Sequence, residues 1–208
     1  MAAKTTSHNL AAALDYLEQI IVGRISVEQG QRDEVDIPAP AYQRDEGPFS
    51  RFLEKYQPDF YAYVTLLLAL APNLYADFFD RILKQHFPKG ADLPAFGGVR
   101  GKSHRGILPT GETAQFILAG NDLDRRLAVQ ALFRPDHWFA TESILKLEEV
   151  PEGEPLMSGR LLLDGEWLEK LTTGQVSAPR FSTRFPAEPL TTKLTWDDLV
   201  LPEHTHAQ

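Results

Sequence analysis

The stretch TGETAQFILAGNDLDRRLAVQALFRP, residues 110–135, decides the fold class. Thr110 can accept from the free amides of a helix start, and Gly120 is suited to close that helix. This predicts a helix over Gly111–Ala119. Asp122 repeats the capping signal, Leu123, Leu127 and Ala131 fall on one face of a second helix, and Pro135 lies beyond its end. After Pro135 the period changes. Trp138 to Leu147 predicts one or two short strands, and Gly159 to Leu163 another. Asp164 to Leu171 then fits a short helix closed by Gly174.

Upstream the pattern is helical. Leu10, Leu14, Leu17 and Ile21, widened by Ile20 and Ile25, give an amphipathic helix from about Ser7 to Arg24. Glu28 to Gly47 is acidic, contains Pro38 and Pro40, and reads as a linker or strap. Phe49, Phe52 and Leu53 start a helix ending near Tyr56, and Pro58 suits the first position of the next. From Phe60 to Leu70 apolar residues occur on every side, which predicts a central helix. Pro72 is expected to stop it, with Asn73 capping a helix that buries Leu74, Phe78 and Ile82 with Tyr75, Phe79 and Leu83. Helices first and strands after predict an α+β, helix-dominated fold. Its helical N-terminal half is followed by a small hairpin or winged-helix-like unit and, from Gln175, an extended C-terminal strap. The expected divisions are 1–47 (helix and acidic linker), 48–185 (winged-helix-like domain) and 186–208 (extended segment).

The 208 residues suffice for a sizeable core, with 43% hydrophobic and 24% charged residues. Cysteine is absent, which removes disulfides and thiolate metal sites. Met1 to Asn9 does not read as a signal peptide, and the apolar run from Tyr61 to Pro72 is too short to cross a bilayer. A cytoplasmic location without membrane association is therefore expected. A net charge of −8 disfavours general binding to phosphate backbones.

Several segments invite a chemical reading. Phe96-Gly97-Gly98-Val99-Arg100-Gly101-Lys102-Ser103 ends like a phosphate-binding loop, but only three residues separate Gly97 from the Gly-Lys pair. No strand is expected before it, and Pro109 follows where the helix should run. A mobile basic loop is the better functional reading, with Arg100, Lys102, His104 and Arg105 as candidate partner contacts. A solvated connection, or glycines packing the loop against the domain, are the alternatives. Ser143-Ile144-Leu145-Lys146 matches the Ser-x-x-Lys pattern of some acyl-transfer enzymes, but its companion motifs are missing. Leu145 and Leu147 alternating with charges fit a half-buried strand better. His204 and His206 have no further metal ligands nearby, and the aromatics Phe60, Tyr61, Tyr63, Tyr75, Phe78 and Phe79 are core candidates. No catalytic, cofactor-binding or metal-binding residue is assigned.

Several segments form a longer signature: Phe96-Gly97-Gly98 through Gly101, His104 to Ala114, Ile117 to Leu123, Thr172-Thr173-Gly174, Phe185-Pro186-Ala187, Thr192-Lys193-Leu194 and Trp196 to Leu201. Their order resembles the N-terminal region of a group of bacterial AAA+ ATPases common in Bacteroidetes. Some members of this class are encoded with phage-tail-like contractile injection systems. The resemblance runs from about Phe49 to Leu201. It implies a winged-helix-like, non-catalytic domain that recognises a protein partner or substrate for a ring-forming, hexameric motor. ATP and Mg would belong to an AAA+ module following residue 208, so no cofactor is expected on these residues. Two other classes stay open: a winged-helix nucleic-acid-binding module, and a free-standing enzyme using Glu112, His104 or Ser143.

Overall fold

The computed structural model describes residues 2–35, 37–39, 47–87 and 94–176. The expected C-terminal strap, the Phe185 to Leu201 part of the signature, His204 and His206 lie outside the described residues. What is described is helix-dominated α+β, as the order of periods predicts.

Helix α1 (Ala2–Glu28) runs beyond both expected ends. Leu10, Leu14, Leu17, Ile20, Ile21 and Ile25 are all buried, so the predicted stripe is its core face. Helix α2 (Pro48–Tyr56) starts on a proline, whose fixed φ suits a first turn, and ends at Gln57. Asp59 caps α3 (Phe60–Leu74) by accepting from the Ala62 N–H at 2.8 Å. Every residue from Ala62 to Ala71 is buried, which makes α3 the centre of the core. Each buried leucine there contributes roughly 1.5–3 kcal/mol.

The expected stop at Pro72 does not occur. Proline forfeits one hydrogen bond near a helix end, and the buried turns before it hold α3 to Leu74. Asn73 is no cap; its amide donates back to the Ala69 carbonyl at 2.9 Å. Asp77 precedes α4 (Phe78–His86), which buries Phe78, Phe79 and Ile82. Two of the expected core aromatics face solvent, Phe60 at 44% and Tyr75 at 56% exposure, because each sits at an end of α3.

A glycine-rich connection leads into a short antiparallel hairpin, β1 (Val99–Arg100) and β2 (Ile107–Leu108). The chain passes directly into α5 (Gly111–Ala119) through Thr110, whose hydroxyl accepts from Thr113 N–H while Thr113 Oγ1 accepts from Thr110 N–H. Gly120 ends α5, as predicted, and Asp122 caps α6 (Leu123–Ala131). Buried Arg24 of α1 donates from Nε to the Ile117 carbonyl at 3.1 Å, covering the C-terminal turn of α5.

Trp138 begins no strand. His137 Nδ1 accepts from the Phe139 N–H and caps a one-turn helix, α7 (Trp138–Thr141), which buries Phe139. Strand β3 is only Leu145–Leu147, and it pairs antiparallel with β4 (Leu161–Leu163). On the other flank of β4, Leu161 N–H donates to Pro109 O at 2.9 Å and Thr110 bridges Arg160. The order across this sheet is therefore 109–110, β4, β3. Helix α8 (Gly165–Thr172) follows, capped by Asp164 and closed by Gly174. Among the described residues no single helix is long and apolar enough to cross a membrane.

Candidate functional site

The four candidate contact residues lie on the β1–β2 hairpin, and the hairpin is fixed rather than loose. Asp80 of α4 accepts from Arg100 Nη2 at 2.7 Å and from the Ile107 N–H at 2.8 Å, gripping both strands with one carboxylate. Arg100 also donates to the Arg105 carbonyl. His104 is half-buried, its Nε2 enclosed without a partner among the described residues. A Cβ at Gly106 would run into the Ala76 carbonyl, so this turn lies hard against the α3–α4 connection. Lys102 and Arg105 remain exposed, with no ion pair among the described residues. The mobile basic loop thus becomes a clamped hairpin with two outward cations.

The glycines of the near-miss phosphate loop serve packing. Gly97 and Gly98 hold φ of +65° and +85°, and both abut the start of α5. Gly98 N–H donates to Thr110 Oγ1 at 3.2 Å. Lys102 is followed by bends and β2, where a phosphate-binding loop would continue into a helix.

Helix α6 departs furthest from expectation. Leu123, Leu127 and Ala131 share a face as predicted, but that face is solvent-exposed, with Leu123 at 68% and Leu127 at 53%. The core contact comes from Val129 and, just beyond the helix, Leu132. The arginines turn toward the protein. Arg126 donates to the Gly120 carbonyl at 3.0 Å and to Gln115 Oε1 at 3.1 Å. Arg125 pairs with Asp122 and Glu34. Periodicity reports that a helix has an apolar stripe, not which side meets the core.

The β3–β4 connection, residues 148–160, leads out to an exposed turn and returns onto the start of α5, where Met157 is buried against Gly111. Its base is held by Arg160, which pairs with Glu148 through Nε and Nη2, both at 2.5 Å. Those bonds hold the Glu148 carboxyl below the usual carboxylate range and raise the Arg160 guanidinium. The tip turns at Pro151–Glu154, with Glu149, Glu152 and Glu154 exposed and in no ion pair among the described residues. Leu156 beside them is 65% exposed.

Of the residues considered for catalysis, Ser143 and Lys146 line one hollow, whereas His104 and Glu112 line two others. Glu112 accepts from Ser158 Oγ at 3.0 Å, and Ser143 occupies a left-handed turn after α7. Among the described residues no hydrogen bond joins any two of Glu112, His104, Ser143 and Lys146, and no group of three metal-binding side chains forms. No protein-family model, no curated protein and no solved structure matches the chain.

Proposed function

We propose that this chain is a non-catalytic recognition module of winged-helix-like build, serving an AAA+ ATPase by engaging a protein partner or substrate. With α4, β1 and α7 interposed, the succession α3, β2, α5, α6, β3, a connection with an exposed tip and β4 follows the order of winged-helix elements. In that comparison α6 takes the place of the second helix of a helix-turn-helix, and residues 148–160 that of the wing.

One observation carries the choice of protein over nucleic acid. The solvent face of α6 presents Leu123 and Leu127 while Arg125 and Arg126 are engaged at its sides. A helix reading DNA needs outward donors and cations. The wing adds exposed carboxylates, which repel phosphate. Exposed leucines in a row suit burial against another protein. The motor itself, its ATP and Mg, its hexameric assembly and a role with a contractile injection particle rest on the sequence resemblance.

A photo-crosslinking residue at position 127 tests the partner reading in cells carrying the gene. The expected result is a discrete protein adduct, absent when the same group is placed at exposed Glu54. Binding of a DNA or RNA duplex at low salt that weakens steeply with added salt would overturn it in favour of a winged-helix nucleic-acid module. The AAA+ assignment is tested separately by sequencing past codon 208, where an in-frame Walker A segment is expected.

A further inference from the structure

The hollow that Ser143 and Lys146 share has a volume of about 540 Å3 and is walled by three elements. Phe139 comes from α7, Ile144 and Leu145 from the entry into β3, and Leu163 from the end of β4, beside Gly165 at the start of α8. Phe139, Ile144 and Leu145 are at most 2% exposed, so this apolar wall is part of the core. Both backbone groups of Ile144 tie the walls together. Its N–H donates to Phe139 O at 2.8 Å, and its carbonyl accepts from the Asp164 N–H at 2.9 Å. A concave, largely apolar and preformed space of this size with a few polar groups is the usual setting for a small organic ligand.

Two polar side chains on the lining are uncommitted. Lys146 is exposed and makes no ion pair among the described residues. Ser143 is exposed as well, and its φ of +53° is a conformation that side chains disfavour. Strained non-glycine residues gather at ligand sites. The carboxylate on the lining is that of Asp164, and it is already engaged: its Oδ1 accepts from the Glu166 and Trp167 N–H groups at the start of α8. The charge free to meet a ligand is that of Lys146.

We propose that this hollow binds a small organic carboxylate with an apolar body, of the medium-chain fatty acid class. The body lies against Phe139, Ile144, Leu145 and Leu163, and the carboxylate meets the Lys146 ammonium group and the Ser143 hydroxyl. Burial of the body supplies most of the affinity, and the lysine supplies the preference for an anion. A cationic head would face Lys146 unpaired, and a doubly charged phosphate ester would add repulsion from Asp164. The site uses neither Leu123 nor Leu127 and does not rest on the reading of α6.

Octanoate, 1-octanol and octylammonium share one chain length and differ in charge, and each is titrated into the full chain by methyl and amide NMR. Octanoate should bind saturably and move the methyl signals of Ile144, Leu145 and Leu163 together with the Lys146 amide. Octanol should bind about fivefold more weakly, as expected for the loss of one partly exposed ion pair, and octylammonium more weakly still. This comparison leaves the protein unaltered. Lys146→Met, at an exposed position, should lower octanoate binding to the level of octanol and leave octanol binding unchanged. No saturable shift around the hollow, shifts confined to Leu123 and Leu127, or octanol binding as tightly as octanoate would each overturn the proposal. The α6 reading would stand after any of these outcomes, because the crosslink at position 127 tests it independently.

Discussion

Gly97 lies directly against the capping hydroxyl of Thr110: a Cβ built on it would stand 2.8 Å from Thr110 Oγ1, and the Gly98 N–H donates to that same oxygen at 3.2 Å. The glycine pair is a close backbone approach onto a helix start, in a region of φ that side chains disfavour. Gly97→Ala is therefore expected to cost about 2–4 kcal/mol, combining left-handed strain with overpacking. Equilibrium urea denaturation measures it. In a Thr110→Ala background the added cost should be smaller, since the same contact is already relieved.

The Asp80 carboxylate holds the hairpin by accepting from both Arg100 and the Ile107 amide. The amide bond is the more consequential of the two, because the Arg100 side chain is 59% exposed and its ion pair is screened by water. Asp80→Ala should cost about 1–3 kcal/mol, and Arg100→Ala less than about 1 kcal/mol. Hydrogen exchange at the Ile107 amide should accelerate strongly in the first variant and little in the second. Equal effects would assign the clamp to the ion pair.

The helices were legible in the sequence where capping chemistry and periodicity agreed. Thr110, Gly120, Asp122 and Gly174 stand at the termini their side chains or backbone freedom predict. Pro72 misled because a proline near a helix end loses little, while the burial around α3 holds the turn. Trp138 and Phe139 suggested a strand by composition, whereas one hydrogen bond to His137 Nδ1 starts a helical turn instead. The outward face of α6 was not legible, since Leu123 and Leu127 have the same period whether buried or exposed. Nor was the fixing of the basic hairpin, which depends on Asp80 in a distant part of the chain.

His137 makes stability depend on pH. Its Nδ1 accepts the Phe139 N–H at 3.2 Å, which requires that nitrogen to be unprotonated. Desolvation pushes the imidazole below its ordinary value of 6.5, outweighing the opposite pull of Asp59 and Asp136. The folded chain thus binds fewer protons here than the unfolded chain as pH falls past 6.5. This contribution is fully present above the unfolded value and is lost as pH drops toward and through the folded one. Melting temperature should decline from pH 7.5 to 5 less steeply in His137→Asn, because asparagine caps a helix at either pH. An identical slope in both proteins would place the acid sensitivity elsewhere.

Gln57 and Ser143 hold φ of +41° and +53°, the non-glycine residues with positive φ among those described. Each ends a helix. The Gln57 N–H donates to Leu53 O at 2.9 Å, and around Ser143 the Ile144 N–H donates to Phe139 O at 2.8 Å. A side chain in this conformation costs about 1–2 kcal/mol, part of which glycine returns through its larger unfolded-state entropy. Gln57→Gly and Ser143→Gly should therefore each stabilise by about 0.5–1 kcal/mol in thermal or urea unfolding. Ser143→Ala separates backbone from hydroxyl, since it keeps the Cβ and removes only the oxygen. If it leaves stability unchanged while Ser143→Gly raises it, the residue is a strained helix terminus. If both variants lose stability, the hydroxyl itself holds the turn that leads into β3.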